Sequence, residues 1–155
     1  MRPPTLLSLP SYLAGHVARI GHRSLVDALA DQGLRLPHFA VLAALNDFGP
    51  LPQHQLADRL GLNRSHLVGY LDDLERAGHA QRERDPSDRR RQQVTLSRSG
   101  HSLFAKLARL ADESEARHLA PLTAKERRIL TDLLRRVVIH DDENTTRDGG
   151  DEASS

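Results

Sequence analysis

Apolar residues recur along this chain at steps of three and four, except in one stretch where polar residues alternate and arginine accumulates. Leu56, Ala57 and Leu60 share one face of a helix predicted from Gln53 to Leu60, with Pro52 early in it, where a missing N–H costs nothing. Gly61 supplies the backbone freedom of a tight turn, and Asn63 is placed to cap a second helix by accepting the N–H of Ser65 or His66. In that helix Leu67, Leu71 and Leu74 face inward, while Arg64, Ser65, His66, Gly69, Tyr70 and Asp73 lie on the opposite face. It closes at Ala77-Gly78. From His79 the period changes. His79–Arg84 and Arg91–Leu96 read as two strands around the turn formers Asp85-Pro86-Ser87-Asp88, with Arg89, Arg90 and Arg91 at or beside the tip. The order is that of a helix-turn-helix followed by a β-hairpin wing, whose partner is duplex DNA.

The flanks are helical by the same criterion. Three prolines predict an extended Met1–Pro10. A long helix follows from Ser11, striped by Leu13, Val17, Ile20, Leu25, Val26 and Leu29, bent near Gly21 and ending at Asp31-Gln32-Gly33. Pro37 opens another, carrying Phe39, Leu42, Ala43 and Leu45 up to Gly49-Pro50. Ser97 caps a long helix to about Leu119, with Leu103, Leu107 and Leu110 on one face. Thr123-Ala-Lys-Glu126 is a capping box for the last helix, which carries Leu130, Leu133, Leu134, Val137 and Val138. The acidic, Gly-containing run after His140 reads as a disordered tail. The expected fold is mainly α with a small β-hairpin wing. Residues 1–36 form a dimerisation helix, 37–97 the DNA-binding lobe (wing about 79–96), 98–140 C-terminal dimerisation helices, and 141–155 the tail. The terminal helices exceed what a winged helix requires, and the first cannot bury its stripe alone; an isologous homodimer that shares first and last helices is the economical solution.

Charge sharpens this picture. The formal net charge is +1, but residues 141–155 hold six acids against one base, so the remaining 140 residues carry +6. A basic body suits a phosphate surface. The chain has no cysteine, which excludes disulfides and a thiol switch and suits a reducing cytoplasm. No apolar run approaches the roughly 20 residues of a membrane helix, and Met1-Arg-Pro-Pro opens no signal peptide, so a soluble cytoplasmic protein without membrane contact is expected. Nine histidines raise the question of a metal. His16 and His22 are six apart, and Glu115 and His118 share a helix with His101, yet nowhere do three or four ligands cluster locally, so no metal or cofactor is expected. Catalysis finds no support either. Asp72-Asp73 and Asp141-Asp142 are neighbours that point about 100° apart on a helix, and no phosphate loop, nucleophile elbow or HExxH helix is present.

The candidate contacts follow from the motif. Arg64, Ser65 and His66, held by the Asn63 cap at the start of the second helix, are placed to read the major groove, Arg64 by forking onto guanine, with Tyr70 further along. Arg89 and Arg90 fit the minor groove, with Asp88 expected to orient the Arg90 guanidinium. Arg84, Arg91, Gln53 and His54 are placed for phosphates. Asp88-Arg-Arg90 with Val94-Thr-Leu-Ser97 and Gly100 resembles the signature wing of the MarR family of bacterial transcription regulators. Leu56-Ala-Asp-Arg-Leu and Leu71-Asp-Asp-Leu-Glu-Arg-Ala-Gly78 resemble that family's two helices, and the similarity runs from about Leu36 to Leu110. The resemblance implies a homodimer on an inverted-repeat operator, more often as repressor than activator. It also implies release by a small phenolic or anionic effector, with His16, Ile20, His38, Phe39 and Leu42 as one wall of its cleft and the helix after the wing as the other. The missing cysteine departs from the family's peroxide-sensing branch. The competing reading is a winged helix that binds protein, or DNA architecturally, without ligand response.

Overall fold

The structure, a computed structural model, describes residues 1–151, with side chains through 145. Its elements in chain order are α1 (Pro4–Leu7), α2 (Pro10–Gly21), α3 (Arg23–Ala30), α4 (Leu36–Phe48), α5 (Gln53–Leu60), α6 (Arg64–Arg76), β1 (Ala80–Arg84), β2 (Gln92–Leu96), α7 (Arg98–His118) and α8 (Ala124–Asp151). They divide into two compact units, residues 1–115 and 116–155.

The first unit is organised around α4 and α6. Leu29, Val41, Leu42, Leu56, Leu71 and Leu74 are completely enclosed, joined by Leu67, Val94 and Leu107, so the inward stripes read from the sequence meet in one core. Gly61 (φ +59°) and Gly78 (φ +78°) take the left-handed conformation that ends α5 and α6. At Gly78 the stop is complete. The N–H of Gly78 donates to the Glu75 carbonyl (2.9 Å) and that of His79 to Leu74 (2.8 Å), a Schellman closure that turns the chain directly into β1. β1 and β2 pair antiparallel with Arg82 opposite Val94. Leu51 adds two further backbone bonds, donating to the Val94 carbonyl (3.1 Å) and accepting from its N–H (2.7 Å). The loop before α5 is thereby tied to the wing.

Two expectations at the chain ends are corrected. Met1–Pro10 is not extended throughout: Pro4 and Pro10 stand in the first turns of α1 and α2, where proline's missing donor is harmless, so the prolines start helices. The predicted bend near Gly21 is present as a break at His22 between α2 and α3, and the buried Ser114 hydroxyl donates to the Gly21 carbonyl there (2.7 Å).

In the second unit the capping box is formed, Thr123 N–H donating to Glu126 Oε2 (2.7 Å) and Glu126 N–H to Thr123 Oγ1 (3.2 Å). Arg127 Nε donates to the carbonyls of Leu119 and Leu122, both at 3.1 Å, closing the loop before α8. The tail expected to be disordered from Asp141 continues instead as helix to Asp151; residues 152–155 lie outside the described residues. Nothing between His140 and Arg147 breaks a helix. Asn144 bonds His140 (3.1 Å), and the Thr145 hydroxyl donates to the Asp141 carbonyl (3.0 Å). Among the described residues no helix is long and apolar enough to cross a membrane.

Candidate nucleic-acid interface

The outer face of α6 begins at its cap. Asn63 Oδ1 accepts the N–H of Ser65 (2.8 Å) and also the Ser65 hydroxyl (2.5 Å). The Ser65 proton is thus committed to the cap, and its oxygen faces outward as an acceptor. Arg64, Ser65 and His66 are all exposed, whereas Leu67 beside them is buried. Arg64 stands 3.9 Å from Asp58 with both side chains largely in solvent, a contact too weak to hold it.

Residues distant in sequence converge here. Gln53 and His54 at the start of α5, Arg64 and Val68 on α6, and Arg91 and Gln92 at the base of the wing line one open groove of about 490 Å³, floored by Leu67 and edged by Pro52. Four of the residues predicted for DNA, Gln53, His54, Arg64 and Arg91, therefore share a single concavity. Val68 escaped the sequence reading because it is apolar, yet it lies one turn beyond Arg64 and is 41% exposed, a surface suited to a thymine methyl group. Gln92 carries no distinguishing signal in the sequence, because it is one of several polar residues in a strand.

The wing tip is a built turn. Arg91 N–H donates to the Asp88 carbonyl and Asp85 N–H to the Arg91 carbonyl, both at 2.9 Å. Asp85 accepts both the hydroxyl (2.7 Å) and the N–H (2.8 Å) of Ser87, bonds that hold its carboxyl below the usual carboxylate range. Asp88 departs from its expected role. Its Oδ1 accepts the backbone N–H of Arg90 (3.0 Å) and its Oδ2 lies 3.6 Å from Arg91 Nε, so it shapes the turn and does not grip the Arg90 guanidinium. In a turn this tight the main-chain donor two residues on lies nearer than the side chain's end. Arg89 and Arg90 project from the turn without a partner among the described residues, and Arg84 is exposed at the end of β1.

Tyr70 and the proposed ligand wall are also revised. His38 is 1% exposed. Its Nδ1 accepts the Arg35 N–H (2.9 Å), so its proton sits on Nε2 and is donated to Asp73 Oδ2 (2.9 Å). That bond, ahead of the Arg76 contact, holds the Asp73 carboxyl below the usual range. Tyr70 packs edge-on against the His38 ring (centroids 5.1 Å apart) beneath the Arg35 guanidinium at 5.5 Å, which takes it off the base-reading face and into the joint between α4 and α6. Leu42 is completely enclosed, so neither it nor His38 offers a ligand a surface. Phe39 stacks on Phe104 of α7 (5.9 Å), and Ile20 is half-buried on α2. His16 receives guanidinium contacts from Arg2 (2.5 Å) and Arg19 (2.7 Å); desolvation, followed by these charges, lowers its proton affinity. Among the described residues no three His, Asp or Glu are grouped to hold a metal.

The profile of the MarR family matches residues 32–91. The chain is similar to the HTH-type transcriptional repressor NicR of Pseudomonas putida, 32% identical over 112 residues that make up 72% of this chain and 71% of NicR. It is similar in structure to the PcaV transcriptional regulator of Streptomyces coelicolor, solved with its natural ligand (31% identity, TM-score 0.70, 89% of this chain and 97% of PcaV). It also resembles CouR of Rhodococcus jostii, solved with p-coumaroyl-CoA (26% identity, TM-score 0.73, 85% of this chain and 93% of CouR).

Proposed function

The chain belongs to the MarR family, a DNA-binding transcription regulator with a winged helix, and on that premise we propose that it acts as a homodimeric, effector-released repressor in the cytoplasm. The observation that carries the DNA contacts is the shared groove of Gln53, His54, Arg64 and Arg91. Arg64, Ser65, His66 and Val68 read base edges in the major groove. Gln53, His54, Arg84, Arg91 and Gln92 hold phosphates on either side, and Arg89 and Arg90 enter the minor groove. Two copies place these surfaces on half-sites roughly 34 Å apart, so the operator is an inverted repeat. Exposed Leu13 and Val17 on α2, and Leu133, Val137 and Val138 on α8, support the dimer, because a second copy supplies the cover these stripes lack within their own units.

That NicR is a repressor supports the sign of regulation, and the ligands bound to PcaV and CouR support effector release. His16, Ile20 and Phe39 are the members of the expected wall that reach the surface, and the guanidiniums of Arg2 and Arg19 beside His16 favour an anionic compound. The test is selection of bound duplexes from a random pool, with the mass of the winning complex. Enrichment of an inverted repeat bound by two chains is expected. Weak binding without sequence enrichment would move the reading to an architectural or protein-binding winged helix.

A further inference from the structure

Among the arginines of the wing Arg82 points inward, its side chain 19% exposed. Strand alternation puts it on the face of Ala80, and it pairs across the hairpin with the buried Val94. Its guanidinium reaches two other elements. Nη1 donates to Glu75 Oε2 (2.5 Å) and Nη2 to Asp72 Oδ1 (3.0 Å), both on α6. Nε donates to Gln53 Oε1 at the start of α5 (2.9 Å), and the Arg82 N–H donates to Glu75 Oε1 (2.8 Å). One side chain of β1 thereby ties the wing to α5 and α6, the two helices that border the groove.

We propose that Arg82 is the positioning residue of the DNA interface: it fixes the wing against the recognition helix and sets the polarity of the groove without touching DNA itself. The proposal rests on the DNA contacts assigned above. Two consequences carry it. First, a guanidinium can only donate, so the Gln53 oxygen is turned toward Arg82 and the groove is left with the amide N–H groups, donors suited to a phosphate. Second, Asp72 and Glu75 are carboxylates on the very helix that approaches a polyanion, and Arg82 pairs with both, so that only one of their two negative charges is left uncompensated. A planar fork with separate donors can span three acceptors, whereas a lysine ammonium is a point charge that can neutralise without fixing the angle.

The chain has no cysteine, so Gln55→Cys and Glu83→Cys, exposed on α5 and β1, take spin labels without competition. The labelled chain is diluted into unlabelled protein, and the distance between the wing and α5, which the Arg82–Gln53 bond spans, is read by pulsed electron resonance in the parent, Arg82→Gln and Arg82→Lys. Affinity for a duplex from the pool selection and thermal melting are measured alongside. A narrow distance is expected in the parent and a broadened one in both variants, with affinity reduced about tenfold or more. The lysine variant is expected to keep its melting temperature, so misfolding does not decide the result. Unchanged distances in both variants would overturn the proposal. An affinity loss at unchanged distance would instead make Arg82 a direct DNA contact. Full restoration of distance and affinity by lysine would reduce the role to charge neutralisation. A parent that binds no duplex removes the DNA contacts assigned above, and the distances then judge Arg82 alone.

Discussion

Apolar residues on α6 and on α8 obey the same three- and four-residue spacing and meet opposite fates. Leu67, Leu71 and Leu74 are at most 1% exposed, while Leu133 is 50% and Val137 69% exposed. The recognition helix finds α4, α5 and the wing around it within its own unit; α8 presents its stripe to whatever covers that unit from outside. Periodicity therefore announces a face but not its partner. In α6 the apolar face buys stability of the fold, and in α8 the same pattern is available for association.

Changes on the two faces separate these roles. Leu133→Asp puts an unpaired carboxylate on the α8 stripe and should cost about 3–5 kcal/mol of association. Sedimentation should show monomers with the melting of the DNA-binding lobe retained; an unchanged dimer would place the interface elsewhere. Leu71→Ala opens a cavity in an enclosed core and should cost about 2–5 kcal/mol of folding stability, measured by denaturant titration. A loss well under 1 kcal/mol would mean that α6 is packed more loosely than its burial indicates.

A third change tests the outer face of the same helix. Arg64→Ala should leave folding intact, cost about 1–3 kcal/mol of operator binding and relax preference at one base position, read by competition among single-base operator variants. A uniform loss across all sequences would make Arg64 a phosphate contact. The smallest effect concerns the joint beneath. Asp73 has its folded carboxyl value lowered by His38, so its contribution is present above the ordinary carboxylate range and is lost as pH falls through the lowered folded value. Acid unfolding curves of the parent and Asp73→Asn should converge at low pH and separate toward neutrality. Curves that stay parallel would show that the carboxylate charge adds nothing.

Most element boundaries were legible because they are written in local chemistry: Pro37 and Asn63 at starts, Gly61 and Gly78 at stops, Thr123 with Glu126 as a box. What escaped was decided by distance or by competing geometry. His38 finds Asp73 thirty-five residues away, a pairing that no spacing rule within one helix anticipates. Arg82 left a trace, since it alternates with Ala80, but its polar neighbours made β1 look solvated on both faces. Asp88 was correctly placed at the tip and assigned the wrong donor. Three prolines in the first ten residues suggest an extended segment, yet Pro4 and Pro10 start helices, because proline's fixed φ suits a first turn as well as an extended chain. Of the candidate interface, the exposure of Arg64, Ser65 and His66 follows from helix periodicity; the convergence of Gln53, His54, Arg64 and Arg91 into a groove does not, because it depends on how α5, α6 and the wing pack.

The Asp88 turn has a consequence for how the wing meets its target. Its hydrogen bonds stiffen the main chain from Asp85 to Arg91 while leaving the side chains of Arg89 and Arg90 unrestrained. Such a tip acts as a rigid mount for two pliable probes. With Arg89 and Arg90 in the minor groove as proposed, small differences in groove width along a DNA site would be absorbed by rotamer changes worth at most about 2 kcal/mol of side-chain entropy each, with no rebuilding of the loop. On that placement the wing would be tolerant where α6 is exacting, and sequence discrimination by the two should decay differently when an operator is mutated toward its flanks.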